Sequence, residues 1–121
     1  MDNIPKTKTE PDYYEIEELY PVTCNGLKDI FEEEYQLFLK KQYDYGSGNV
    51  TVGQDLNTPE GQRVAKSALI FRMNDKVQRL INLVVKKGVA EAANEPIVDA
   101  FKDIALLAKI AILVDRNQWG K

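Results

Sequence analysis

The chain contains no histidine and a single cysteine, Cys24. Without histidine, Ser-His-Asp and Cys-His nucleophilic catalysis are excluded, and so are histidine-ligated zinc sites. One cysteine forms neither an internal disulfide nor a thiolate metal cluster, and a lone thiol suits a reducing cytoplasm. Long apolar runs are missing too: no stretch approaches the roughly 18 residues that a membrane-spanning helix needs. The first residues carry no basic-then-apolar segment, so a cytoplasmic chain with no membrane partner is expected. The chemistry that remains must come from carboxylates, lysine, arginine or tyrosine. A hard metal ion is the natural cofactor for such oxygen ligands.

What the sequence does have is charge, unevenly spread. Sixteen Lys and Arg face nineteen Asp and Glu, a net of −3 that argues against stable nucleic-acid binding. Residues 1–22 hold six acids against Lys6 and Lys8. With Pro5, Pro11 and few apolar side chains, 1–22 reads as an acidic tail or strap, in which residues 13–20 form a strand or a helical turn closed by Pro21. Residues 23–121 read as one domain.

Periodicity in that domain predicts an all-α fold, a small helical bundle with three main helices at about 24–42, 58–87 and 95–115 and a long loop over 43–57. In the first helix Leu27, Ile30, Phe31, Leu37 and Phe38 form the apolar stripe. The second has Thr58 as N-cap, Pro59 at its first helical position, and Lys86-Lys87-Gly88 as its stop. Its apolar stripe runs through Ile70, Met73, Val77, Leu80, Ile81 and Val84. A second line, Val64, Ala68, Phe71 and Asp75, lies on roughly the opposite side, as in a helix covered on both faces by a subunit partner. The third helix is apolar nearly all round, which predicts a central, buried element. Within the loop, at most a scrap of strand fits Val50-Thr51-Val52, and Trp119 suits either the core edge or an interface.

Carboxylates on these helices are the candidate functional groups. Glu95, Asp99 and Asp103 fall at i, i+4, i+8, and the line continues as Leu106, Ile110 and Leu113. Like charges so placed repel, and a divalent cation would turn the repulsion into a binding site. The alternative is that the first turns stand in water, where Glu95 and Asp99 suit the positive end of the helix. Glu34 sits inside the apolar stripe of the first helix and needs a partner, either a Lys or Arg or the same cation. Asp75 lies among Arg72, Lys76 and Arg79: an Asp75–Arg79 pair is one reading, a metal or phosphate site the other. In the loop, Lys41 and the amides near Gly46 and Gly48 could hold phosphate, although the full phosphate-loop pattern is absent.

Three patches taken in order carry a family resemblance: Phe38-Leu39-Lys40-Lys41-Gln42-Tyr43-Asp44-Tyr45-Gly46, then Arg72-Met73-Asn74-Asp75-Lys76-Val77-Gln78-Arg79-Leu80, then Asn94-Glu95-Pro96-Ile97-Val98-Asp99-Ala100-Phe101-Lys102-Asp103-Ile104-Ala105. Their order and spacing resemble the nucleotide-modification-associated domain, first type, a branch that looks related to the MazG-like all-α nucleoside triphosphate pyrophosphohydrolases. The resemblance covers roughly residues 24–115. It implies a homodimer or homotetramer that holds Mg²⁺ or Mn²⁺ between acids of two helices and cleaves a nucleoside triphosphate to monophosphate and pyrophosphate. It also implies a role in phage or bacterial nucleotide metabolism. On these positions it makes Asp75, Asp99 and Asp103, with Glu95, the metal ligands, and Asp75, Asp99 and Glu34 the catalytic carboxylates. It assigns Lys41, Asp44, Tyr45 and Asn49 to a loop that closes on the nucleotide, and Lys76 and Arg79 to its phosphates. The chain departs from the MazG-like pattern in having one acid, Asp75, on its second helix, and i, i+4 spacing on its third. A non-catalytic nucleotide-binding or counter-defence module is therefore the alternative function, and a purely structural helical interaction protein the third.

Overall fold

The computed structural model describes residues 11–88 and 94–121; of Asn94 and Glu95 it describes the backbone alone. Among the described residues there are helices and turns and no strand, as the periodicity predicts. The elements are α1 (Glu15–Leu19), α2 (Pro21–Tyr45), α3 (Gly48–Thr51), α4 (Pro59–Leu80), a π-helical turn (Ile81–Lys86) and α5 (Asn94–Asp115). No helix among them is long and apolar enough to cross a membrane.

The chain divides into two units, Met1–Gln36 and Leu37–Lys121, and α2 runs through the division. In the first unit, the segment read as a strand or a helical turn takes the helical form, α1, and Pro21 opens α2 where it was expected to close the preceding segment. Proline at a helix start is favoured because its missing N–H would have no partner there anyway. Lys28 Nζ meets Glu17 Oε2 at 3.2 Å. Only the end of the expected apolar stripe reaches the core: Leu27, Ile30 and Phe31 are exposed, Leu37 is half-buried, and Phe38 packs against the core cluster.

The second unit contains the core. Leu69 and Ala65 of α4, Val50 of α3, Leu106, Leu107, Ile110 and Val114 of α5, and Trp119 are buried together. Half-buried Phe38, Leu56 and Met73 pack around them. On α4 the buried line is Gly61, Ala65 and Leu69 at i, i+4, i+8, which lies beside the expected stripe. Ile70 is 57 % exposed. Ala65 and Leu69 share the core with α3 and α5, whereas Gly61 is buried against the Asp55 backbone. On α5, burial takes one side only: Phe101 and Ile112 are exposed, so the helix is not covered all round as its composition suggested.

Local chemistry sets the start of α4. The Thr58 hydroxyl accepts from the Gly61 N–H at 3.0 Å and donates to the Asp55 carbonyl at 2.8 Å. That carbonyl lies against Gly61, where a Cβ would run into it. Alanine normally gains about 1 kcal/mol over glycine inside a helix, but here overpacking against backbone outweighs the gain. Gly61→Ala is expected to destabilise the fold by about 2 kcal/mol, measured as a lower urea midpoint with an unchanged m-value.

The end of α5 is tied to α4. Lys66 Nζ donates to Asp115 Oδ1 at 2.8 Å. That hydrogen bond, reinforced by the ammonium charge, holds the Asp115 carboxyl below its ordinary value. A carboxyl whose pKa falls on folding adds stability above its unfolded pKa and loses it as pH drops through the folded one. The stability difference between the native chain and Lys66→Met is therefore expected at neutral pH and should vanish well below about pH 4. It will be small, because the pair is solvated. Urea midpoints at about pH 7 and about pH 2.5 would test it.

Candidate functional site

One cleft of about 610 Å³ opens in the second unit. It is walled by the end of α2 (Lys41, Gln42, Tyr45), by α3 (Asn49, Val50), by one face of α4 (Arg72, Asp75, Lys76) and by α5 (Asp103, Leu106, Leu107, Ile110). The spacing explains each contribution. Lys41 and Tyr45 are one helical turn apart, as are Arg72 and Lys76. Asp103, Leu106, Leu107 and Ile110 fall at i, i+3, i+4, i+7, a single stripe of α5. Gly46 ends α2 with φ +69° and donates its N–H to the Gln42 carbonyl at 2.9 Å. This left-handed turn, which glycine adopts without a Cβ penalty, brings α3 back over the cleft.

Asp103 is the electrostatic centre. Its Oδ1 meets Lys41 Nζ at 3.3 Å and its Oδ2 meets Lys76 Nζ at 3.3 Å. The Asp103 side chain is 26 % exposed, so these pairs are only partly screened by water. Arg72 and Asp75 line the same cleft without an ion pair among the described residues, so the alternative Asp75–Arg79 pair is not formed. Three cations thus face two carboxylates, beside an aliphatic wall of Val50, Leu106, Leu107 and Ile110. Volume, apolar wall and a few convergent polar groups match the dimensions of small-molecule sites.

Of the residues singled out from sequence, Lys41, Tyr45, Asn49, Asp75, Lys76 and Asp103 converge on the cleft. Asp44, Arg79 and Asp99 are exposed and do not line it. Each step of four residues along a helix rotates by about 40°, so Asp99 turns away from the line on which Asp103 meets the lysines. Glu34 belongs to the first unit, and the Glu95 side chain lies outside the described residues. Sequence reasoning passed over Gln42, and it placed Arg72 beside Asp75 without giving it a role. The i, i+3, i+4 spacing of Arg72, Asp75 and Lys76 was the available signal.

The expected Val50-Thr51-Val52 strand is the helical turn α3, with Val52 at its end in the left-handed region at φ 52°. Two glycines flanking a four-residue segment favour a turn, and no neighbouring strand offers a ladder among the described residues.

A resident divalent cation fits this donor set poorly. Among the described residues no three acidic, histidine or cysteine side chains are grouped to hold one. Both Asp103 oxygens are committed to ammonium groups. A hard cation needs several free oxygen ligands.

Compared with protein-family models, curated proteins and solved structures, the chain has no match.

Proposed function

We propose that the cleft binds the phosphate chain of a nucleoside triphosphate through Lys41, Arg72 and Lys76. The observation that carries this reading is Asp103 held between Lys41 and Lys76 at 3.3 Å each. The carboxylate places two ammonium groups side by side before a ligand arrives, so less ordering is needed when a phosphate enters. The third cation, Arg72, has a planar fork suited to phosphate oxygens. Val50, Leu106, Leu107 and Ile110 offer apolar surface for base or sugar, and Gln42, Asn49 and Tyr45 offer hydrogen bonds.

Asp75 favours a second reading, the pyrophosphohydrolase that the family resemblance implies. It stands in the same cleft with no ion pair among the described residues. Mg²⁺ or Mn²⁺ would enter as part of the nucleotide substrate. The Asp75 carboxylate would take the proton of the water attacking the triphosphate, and the departing group would be pyrophosphate, leaving a nucleoside monophosphate. A panel of canonical and modified triphosphates with Mg²⁺ or Mn²⁺ separates the readings. Pyrophosphate release makes the protein an enzyme, and thermal stabilisation without product makes it a binding module. Neither response, with any triphosphate, overturns both. The panel also bears on the anion-site reading through Asp103→Asn, which loosens the alignment of the two lysines but also removes a negative charge beside the phosphates. The two effects oppose, so triphosphate binding in EDTA should stay within about threefold. A large loss would mean that the alignment outweighs the removed repulsion.

The proposed partner is a second copy of the chain. Exposed apolar side chains occur in both units: Leu27 and Ile30 in the first, Ile70, Phe71 and Phe101 in the second. Up to Gln36 the chain carries ten acids against three lysines, and beyond it nine acids against thirteen Lys and Arg. Self-association between such surfaces is expected to weaken as salt screens them. Light scattering across a salt series should therefore report a mass that falls toward that of one chain, and a monomer at low salt would rule the partner out.

A further inference from the structure

We infer that Trp119 is a positioning residue for the cleft, clasping the segment that supplies Asn49 and Val50. This rests on the ligand reading above, and it begins with the way α5 ends. Asn117 takes a left-handed conformation (φ 56°), with its N–H on the Val114 carbonyl at 3.0 Å, while the Gln118 N–H reaches the Leu113 carbonyl at 2.9 Å. This two-bond cap reverses the chain. The reversal carries Trp119 into the core, where it is 6 % exposed.

The indole then does two things. Its Nε1–H donates to the Ser47 carbonyl at 3.1 Å, and its ring meets Phe38 edge-on, with centroids 6.1 Å apart and planes at 74°. Ser47 is the residue before α3, and its carbonyl also accepts the Val50 N–H at 3.2 Å. Phe38 stands on α2 one turn before Gln42. Lys121 Nζ reaches Asn57 Oδ1 at 3.4 Å, at the far end of the same connection. The C-terminal residues therefore grip the 46–57 segment near both its ends. Trp119 does not itself line the cleft, though it shares the buried cluster with Val50, Leu106, Leu107 and Ile110. Its polar hold passes through the Ser47 carbonyl to Asn49 and Val50, two and three residues on.

Trp119→Phe keeps an aromatic ring on the Phe38 side and removes the N–H donor together with the pyrrole half of the indole, a loss of buried volume that the control below accounts for. In the ligand-free chain, the amides of Val50, Val52 and Gln54 should exchange with deuterium at least fivefold faster, while amides of the α4–α5 core stay unchanged. Affinity for inorganic tripolyphosphate, which needs no base recognition, should fall about fivefold by calorimetry. Val114→Ala is the control: it removes a fully buried core side chain, so it should lower thermal stability without changing that affinity at a temperature where both variants are folded. Trp119 is also the one tryptophan in the chain, so its emission reports on the native protein without substitution. Saturation with tripolyphosphate should alter acrylamide quenching of that emission.

Unchanged amide exchange in Trp119→Phe overturns the clasp. Faster exchange with unchanged affinity makes the contact purely structural and overturns the positioning role. Should the variant fail to fold, quenching that stays constant while calorimetry records binding to the native chain overturns it as well. If neither tripolyphosphate nor a nucleoside triphosphate binds the native chain, the ligand reading fails, and the exchange result alone then shows whether the clasp survives it.

Discussion

Replacing Lys41 and Lys76 together by methionine is expected to lower affinity for a nucleoside triphosphate at least 100-fold. A hydrogen bond to a charged group contributes about 1.5–3 kcal/mol, and about 1.4 kcal/mol is a factor of ten. Each lysine therefore accounts for roughly one to two decades, and methionine keeps most of the stem that lines the cleft. The double variant has a second effect that must be separated from the first. It strips both partners from the Asp103 carboxylate, which is 26 % exposed. A half-buried charge left alone destabilises the fold. Adding Asp103→Asn should restore most of the lost thermal stability and none of the lost affinity. Calorimetric titration beside thermal melts of the native chain and of the double and triple variants checks both expectations. Affinity that recovers with stability would show that the lysines matter only to the fold.

Leu69→Ala is expected to cost about 3 kcal/mol, a large fraction of the stability of a small domain. Leu69 is 1 % exposed and packs where α4 meets α3 and α5. Removing its side chain loses the transfer energy of the buried methyl groups and leaves a cavity that its neighbours only partly fill. For a domain of this size the midpoint should fall by roughly 10–20 °C. The informative control is the next residue. Ile70→Ala should change the midpoint by at most a few degrees, because Ile70 is 57 % exposed in the isolated chain. If Ile70→Ala proves as damaging as Leu69→Ala, a partner covers Ile70 in solution, which light scattering on the same samples would reveal. Melting curves for both single variants at two protein concentrations distinguish the cases.

The two positions also mark where sequence reasoning stopped. The stripe Ile70, Met73, Val77, Leu80, Ile81 and Val84 is the more hydrophobic line of α4, yet the line buried in the chain is Gly61, Ala65 and Leu69. Hydrophobicity ranks side chains by what they gain from burial. It does not rank how closely two backbones can pack, and at Gly61 the Asp55 carbonyl leaves no room for a Cβ. The same limit applies to Asp99 and Asp103. Both sit on one line of the sequence pattern, but only Asp103 faces Lys41, 62 residues away along the chain.

Helix ends were legible because capping chemistry is local. The Thr58 cap, Pro59 at the first turn and the Lys86-Lys87-Gly88 stop stand where the residues require, and Gly88 takes the expected left-handed φ of 71°. The all-α class followed from periodicity, which depends only on neighbours three and four residues apart. By itself, then, the sequence determined the all-α class, the three long helices, the start of α4 and the stock of acids and bases available for chemistry. Only the tertiary structure decided which apolar line is buried, which carboxylate meets the lysines, and that Trp119 closes on Ser47. Each of these rests on distances between segments far apart in the chain, and no local pattern encodes such distances.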